Sequence, residues 1–135
     1  MMISTKGRYA LNILLDLSQH ADEGYISLKK ISQRQKLPIK YLEAIVSVLN
    51  KSGMVESLRG KEGGYRLTKK PEDYTIGSII KLAEGSIAPV SCLESENCAQ
   101  ACHCLTLPLW MKLEGLIDAY LESVTLKDLL EQKIS

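Results

Sequence analysis

Residues 54–68, Met-Val-Glu-Ser-Leu-Arg-Gly-Lys-Glu-Gly-Gly-Tyr-Arg-Leu-Thr, decide the fold of this chain. Apolar and polar side chains alternate in the two flanks, 54–58 and 65–68, and this alternation predicts two short β-strands. The six residues between the flanks include three glycines, which adopt the positive φ angles of a tight turn at little steric cost. The stretch therefore predicts a β-hairpin with a glycine-rich tip.

Three segments with helical spacing of apolar residues precede this hairpin. The first covers residues 9–17, and the second begins after the N-cap residue Ser27 and ends near residue 35. The third covers residues 39–49, where Pro38 suits a helix start and Gly53 suits a helix end. Three helices followed by a hairpin are the order of a winged helix-turn-helix. The predicted fold class is mainly α with a small β-hairpin wing.

The third helix and the wing are the predicted nucleic-acid surface. Lys40, Tyr41 and Glu43 lie away from the apolar stripe of the third helix, which can lie in a major groove. On the wing, Arg59 and Lys61 can reach a neighbouring minor groove or its phosphates. A glycine-rich loop with one lysine can also cradle a nucleotide, but the Gly-Lys-Ser/Thr ending and the following helix of such loops are absent from this sequence.

The net charge of +1 conceals two halves of opposite sign. Residues 1–81 contain 14 Lys and Arg against 8 Asp and Glu, whereas residues 82–135 contain 3 against 8. Two differently solvated faces would explain this split, and so would nucleic acid bound to the basic half. We predict a winged helix-turn-helix DNA-binding domain over 1–81. Residues 82–135 are expected to hold a cysteine-rich sensor loop and a dimerisation helix.

The acidic half contains a long predicted helix that follows Thr106 and Pro108. Its apolar residues cover more than one stripe, so one small core cannot bury them all and a second protomer is the expected cover. A helix capped by Thr75 precedes the cysteine-rich loop, and Thr125 and Asp128 form a capping-box pattern for a last short helix. The expected partners are double-stranded DNA and a second copy of the chain.

No apolar run is long enough to span a membrane, and the N-terminus lacks the pattern of a signal peptide. We therefore expect a cytoplasmic protein without a membrane partner. In that reducing compartment, clustered cysteines bind metal or respond to redox more often than they form structural disulfides.

All four cysteines lie within residues 92–104. Cys92, Cys98 and Cys104 are evenly spaced along a polar loop, and three thiolates from one loop suit the iron of an iron–sulfur cluster. Zinc is a competing metal, although the paired Cys-x-x-Cys motifs of many zinc sites are absent from this sequence. The four thiols could also form a disulfide switch under oxidative stress, or bind nothing.

Three motifs together resemble the Rrf family of bacterial repressors, of the IscR, NsrR and CymR type. They are Ile-Ser-Thr-Lys-Gly-Arg-Tyr-Ala at 3–10, Tyr-Leu-Glu at 41–43 and Leu-Arg-Gly-Lys-Glu-Gly-Gly-Tyr at 58–65. The resemblance implies a homodimeric winged-helix transcription factor whose cysteine-rich loop responds to iron–sulfur status, nitric oxide or cysteine metabolism. It also implies that Glu43 reads bases in the major groove and that Arg59 enters the minor groove, with Thr5 and Lys6 near the DNA backbone. The full predicted DNA-binding set is Thr5, Lys6, Pro38, Lys40, Tyr41, Glu43, Arg59, Gly60 and Lys61.

The loop most resembles the IscR-like cluster-binding branch, whose ligands would correspond to Cys92, Cys98 and Cys104, with [2Fe-2S] favoured over [4Fe-4S]. The fourth ligand of neither family precedent is present, because Leu107 and Arg8 occupy the two corresponding positions. Cys102 or His103 is the expected replacement. The alternative is a cluster-free regulator of the CymR type that responds to thiol oxidation or cysteine metabolism.

Enzyme activity is not expected. The closest pair of thiols is Cys102-x-Cys104, which is not the Cys-x-x-Cys pair at a helix start that redox catalysts use. The two histidines, His20 and His103, are accompanied by no catalytic triad or carboxylate constellation. A winged helix that binds protein rather than DNA is a further alternative.

Overall fold

The computed structural model describes residues 3–90, residue 93 and residues 104–134, and these form helices and one two-stranded antiparallel sheet. The three helices of the N-terminal half are α1 (Thr5–Gln19), α2 (Leu28–Gln35) and α3 (Ile39–Lys51). The hairpin strands β1 (Val55–Leu58) and β2 (Gly64–Leu67) follow. After them come α4 (Ile76–Glu84), α5 (Leu107–Ser123) and α6 (Leu126–Leu130). The predicted mainly α fold with a small hairpin is confirmed.

Local capping interactions start several of these helices. The side chains of Ser27 and Thr75 accept hydrogen bonds from the first turns of α2 and α4, and Thr125 and Asp128 form the predicted capping box of α6. Helix α1 begins earlier than the apolar pattern indicated, because Ser4 caps it and residues 5–8 continue the helix without contributing a large apolar side chain. The apolar period therefore marks where α1 is buried rather than where it begins.

The base of the hairpin is attached to the connection between α1 and α2. Ile26 and Tyr65 exchange two backbone N–H···O bonds of 2.8 Å each, beside the pairing of β1 with β2. A side chain at Gly64 would overlap the Ile26 carbonyl, so the close approach of these backbones requires glycine there. Hydrogen bonds across this distance in sequence fix the wing to the helical body.

Tyr74 joins the other side of the hairpin to the start of α4. Its ring is buried, and its hydroxyl donates to the Met54 carbonyl at 2.6 Å. The same oxygen accepts from the backbone N–H groups of Thr68 at 3.0 Å and Lys69 at 3.2 Å. Burial of a tyrosine hydroxyl is stabilising only when it finds such partners, and here they link both strand ends to α4.

The core lies where α1, α3 and α4 meet. Its fully buried side chains include Ala10, Ile13, Leu14 and Leu17 of α1, and Leu42 and Ile79 from the two neighbouring helices. Lys81 lies inside α4, so the charge balance of the chain changes sign within a helix. The division of the chain into two domains at this point stays a prediction.

One carboxylate is buried among these helices. Asp16 of α1 is 1% exposed and accepts two hydrogen bonds from the Arg34 guanidinium, at 3.0 and 2.6 Å, and one from Gln35 at 3.1 Å. Burial raises the pKa of Asp16, but the hydrogen bonds from Arg34 and Gln35 outweigh it and hold the pKa below its ordinary value. The ion pair between Asp16 and Arg34 thus fixes the end of α2 against α1.

We expect Asp16→Asn to lower the free energy of unfolding by about 1–3 kcal/mol at neutral pH, because it removes the charge from these hydrogen bonds. Asp22→Asn is the matched control: Asp22 is exposed in the turn after α1, and its substitution should change stability by less than about 0.5 kcal/mol. Urea denaturation measures both. The contribution of Asp16 should be fully present above about pH 4, the ordinary carboxyl pKa of the unfolded chain, and should be lost as the pH falls further through the lowered pKa of the folded protein. Equal effects of the two substitutions would contradict the role of the buried pair.

Candidate nucleic-acid interface

Helix α3 presents the predicted outward face. Leu42, Ile45, Val46 and Leu49 are buried, whereas Lys40, Tyr41, Glu43, Ala44 and Ser47 are exposed. Among the described residues, the side chains of Lys40 and Glu43 have no hydrogen-bond or ion-pair partner, so both can bind an external partner without breaking an internal contact. A carboxylate on such a face can accept from the amino group of cytosine.

The start of α3 also lacks an internal cap. Pro38 occupies the N-cap position, and no side chain there accepts a hydrogen bond from the first turn. Helix N-terminal amides without a capping side chain can donate to phosphate oxygens, which is consistent with the prediction that Pro38 lies beside DNA.

The tip of the hairpin carries the second group of predicted contacts. Arg59, Gly60 and Lys61 are exposed, and Gly60 has a φ of 119°, which a residue with a side chain rarely adopts. The turn closes through a 3.1 Å bond from the Gly63 N–H to the Gly60 carbonyl. In the described part of the chain, Arg59 and Lys61 make no ion pair. Both cations are therefore available at the end of a two-stranded arm.

The first turn of α1 lies beside α3 and supplies the third group. Thr5 and Lys6 are exposed and line one cleft of about 290 Å³ together with Tyr41 of α3. Tyr9 of α1 contacts Tyr41 edge to face, with ring centroids 6.4 Å apart at 81°. The structure thus brings Thr5, Lys6 and Tyr41 together, while Arg59, Gly60 and Lys61 form a separate group at the hairpin tip.

Sequence reasoning missed Glu84, which lies directly behind the first turn of α1. One of its oxygens accepts from the backbone N–H groups of Ser4 and Gly7, both at 2.9 Å. Burial raises the pKa of Glu84, but the hydrogen bonds from Ser4 and Gly7 outweigh it and hold the pKa below its ordinary value. The only signal in the sequence was a glycine within the first helical turn, and it does not indicate which residue approaches it.

The predicted sensor loop is described only at its edges. Cys92, Cys98, Cys102 and His103 lie outside the described residues, whereas Cys104 lies two residues before Thr106, the N-cap residue of α5. Its sulfur lies 3.3 Å from the Thr106 hydroxyl. The Thr106 side-chain and backbone hydrogen bonds lower the pKa of the Cys104 thiol. Because the thiolate is the form that binds iron and reacts with oxidants, Cys104 fits the donor chemistry of a cluster and also that of a thiol switch.

Comparison with protein families identifies the architecture. Residues 3–132 match the model of the Rrf2 family, described as "Iron-dependent Transcriptional regulator". The chain belongs to the Rrf2 family. It is 39% identical to the transcriptional regulator IscR of Aliivibrio salmonicida over 130 residues, which cover 96% of this chain and 77% of that protein. The predicted resemblance is confirmed.

Two solved structures of Rrf2 regulators have the same fold. The global cysteine regulator CymR of B. subtilis is 41% identical and superimposes with a TM-score of 0.80, covering 98% of each chain. IscR of T. potens is 38% identical with a TM-score of 0.79, covering 98% of this chain and 88% of that one. Because the two identities are similar, they support membership of the family but do not distinguish an IscR-type regulator from a CymR-type regulator.

Rrf2 regulators bind DNA, and the relatives of this chain are transcriptional regulators rather than enzymes, as predicted. No helix in residues 3–90 or 104–134 is long and apolar enough to cross a membrane. The nine predicted DNA contacts and the cluster ligands stay predictions at the level of individual residues.

We expect Arg59→Ala to weaken binding to a duplex of about 30 base pairs, selected by the wild-type protein from a randomised library. Loss of a free cation should also make the slope of log affinity against log salt concentration shallower, by about one for each wing. Arg66→Ala is the matched control, because Arg66 lies on the same hairpin but pairs with Glu56 and stacks on Tyr25. Fluorescence anisotropy at several salt concentrations compares them. If the two variants lose the same affinity and the same salt dependence, the wing tip has no special role.

Proposed function

We propose that this protein is a homodimeric DNA-binding repressor that senses iron–sulfur or redox status through its cysteine-rich loop. The observation that carries the DNA-binding part is a set of four exposed residues on two elements of a winged helix, whose side chains make no ion pair with any described residue: Lys40, Glu43, Arg59 and Lys61. Cations without internal partners can neutralise phosphates directly, while the outward carboxylate can discriminate between bases. The proposal places the protein in the cytoplasm, where DNA is accessible and cysteines are kept reduced.

The homodimer is supported by an uncovered apolar stripe on α5. Leu109, Leu113, Leu116 and Tyr120 are spaced by four, three and four residues, and each is between 38% and 59% exposed. This spacing is that of a coiled-coil seam. A neighbouring side of α5, roughly 90° around the helix, is already occupied, since Ile117 and Leu121 pack against the core. A second copy of α5 is the partner that this stripe fits best.

Leu116→Lys is expected to convert the dimer into a monomer of 15.0 kDa, because it places a charge in the centre of the seam. Met111→Lys is the matched control: Met111 is 58% exposed and Leu116 is 56% exposed, but Met111 lies about 170° around the helix from the stripe. Light scattering coupled to size-exclusion chromatography gives both masses. A wild-type monomer, or dimers for both variants, would exclude this seam.

The sensor part of the proposal assigns Cys92, Cys98 and Cys104 as cluster ligands. Cys102 or His103 would complete the site, and [2Fe-2S] is favoured over [4Fe-4S]. A cluster would supply a redox-active and nitric-oxide-reactive iron centre when bound. What this chain itself contributes at Cys104 is a thiol whose pKa is lowered by hydrogen bonds at the start of α5. A change at Cys104 therefore acts at the first turn of the proposed dimer helix.

The second candidate function is a cluster-free thiol switch. The lowered pKa of Cys104 favours it as well, because thiolates react with oxidants faster than thiols do. The 41% identity to CymR, a global cysteine regulator, supports this alternative. Both functions predict a DNA-binding dimer, so only the chemistry of the loop separates them.

Anaerobic purification followed by visible spectroscopy, iron analysis and acid-labile sulfide analysis separates these functions. For a cluster sensor, we expect a coloured protein with both elements, and loss of both in Cys92→Ala, Cys98→Ala and Cys104→Ala. Cys102→Ala and His103→Ala then identify the fourth ligand by which of them loses the cluster. Protein that stays colourless after reconstitution with iron and sulfide, but changes DNA affinity on mild oxidation, would establish the thiol switch instead.

A further inference from the structure

We propose that Glu84 is a positioning residue for DNA binding, which holds the first turn of α1 in the place where Thr5 and Lys6 can meet the DNA backbone. The inference rests on the proposed function, because it takes DNA as the ligand. It adds a residue at the end of α4 that touches no DNA itself and acts through the backbone of Ser4 and Gly7.

The contact between Glu84 and α1 is multiple and directional. The Glu84 Oε1 atom accepts from the backbone N–H groups of Ser4 and Gly7, both at 2.9 Å. The Ser4 hydroxyl lies 2.7 Å from Glu84 Oε1 and 2.9 Å from Glu84 Oε2, and it also accepts from the Lys6 N–H at 3.2 Å. Glu84 therefore fixes Ser4 directly and the Lys6 backbone through one intervening hydroxyl.

The identity of Gly7 is explained by this contact. A Cβ atom at Gly7 would lie 2.6 Å from Glu84 Oε1, closer than real Cβ contacts occur, and 3.3 Å from the Ile80 side chain. Glycine within a helix is less stable than alanine, so its presence in the first turn requires a reason. The close approach of Glu84 to the helix backbone supplies that reason.

The attraction between Glu84 and the amides of this turn directs those amides inward, whereas the side chains of Thr5 and Lys6 face outward. A carboxylate is favoured at a helix N-terminus, where the amides carry partial positive charge. Since Glu84 already accepts from the Ser4 and Gly7 amides, these two donors are directed into the protein rather than toward DNA. Thr5, Lys6 and Arg8 are the exposed residues of the turn, and Thr5 and Lys6 border the cleft shared with Tyr41 of α3.

The position of Glu84 in the chain gives the contact a further consequence. Glu84 is the last residue of α4, and Gly85 ends the helix with a φ of 85°. The segment that carries all four cysteines begins a few residues later. The residue that holds the DNA-facing turn is therefore also the residue at which the chain departs for the sensor loop.

Glu84→Gln tests the proposal because charge and position predict opposite results. Removing a negative charge beside Lys6 should strengthen phosphate binding by simple electrostatics. If Glu84 positions the turn, the weaker and partly mismatched hydrogen bonds of glutamine should instead weaken binding about tenfold, and Glu84→Ala should weaken it further. Glu62→Gln on the exposed wing is the matched control for charge alone.

The probe is the duplex selected by the wild-type protein, and anisotropy is measured well below the melting temperature of each variant. Gly7→Ala keeps the carboxylate charge but displaces it, so this variant should lose affinity to a similar extent as Glu84→Ala. In the double variant Gly7→Ala, Glu84→Ala, we expect the loss to be much smaller than the two single losses combined, because both remove the same contact.

Four results decide the proposal. Weaker binding by Glu84→Gln with unchanged or stronger binding by Glu62→Gln supports a positioning role. Binding by Glu84→Gln that is as strong as wild type, at full folding by circular dichroism, overturns it, as does independent loss in the double variant. Failure of the wild-type protein to select any duplex would instead reject the proposed DNA-binding function on which the inference rests.

Discussion

The burial of α1 between α3 and α4 is the constraint on which the other elements depend. Ala10, Ile13 and Leu14 are completely inaccessible to solvent, and apolar burial of this kind provides most of the driving force for folding. Such burial is non-directional, so it does not by itself fix the rotation or the axial position of the helix. Carboxylates at the two ends of α1 provide that precision: Asp16 accepts from Arg34 near its C-terminus, and Glu84 accepts from Ser4 and Gly7 at its N-terminus. A helix held in this way offers α3 a fixed surface to pack on.

Local chemistry explains why most of the fold could be predicted from the sequence. The caps at Ser27, Thr75 and Thr125, the change of period at the hairpin and the glycines of its tip are signals contained within a few residues. The exposed face of α3 follows from helical spacing alone. By contrast, the Ile26–Tyr65 bridge and the Tyr74 hydrogen bonds join residues distant in sequence, and no short pattern announces them. Glu84 was missed for the same reason, since its partners lie 77 and 80 positions away.

A second glycine shows how α5 attaches to the helical body. Glu122 of α5 accepts from the Thr75 hydroxyl at 2.9 Å and pairs with Lys81 at 3.1 Å, and Lys81 also pairs with Asp118. A Cβ at Gly77 would lie 2.5 Å from Glu122 Oε1, so a side chain at this position would displace the carboxylate from α4. Polar contacts therefore fix α5 on one side, which leaves its apolar stripe for another surface.

At each of its ends, α4 is connected to a different helix through a carboxylate. Near its N-terminus it binds Glu122 of α5, and at its C-terminus its own Glu84 binds the first turn of α1. Because α4 is one continuous helix of nine residues, the distance between its two ends is set by the regular rise of an α-helix. The proposed dimer helix and the proposed DNA-facing turn therefore both contact α4, the first near its N-terminus and the second at its C-terminus. Coupling between the two surfaces would require α4 to have two arrangements whose equilibrium each surface biases.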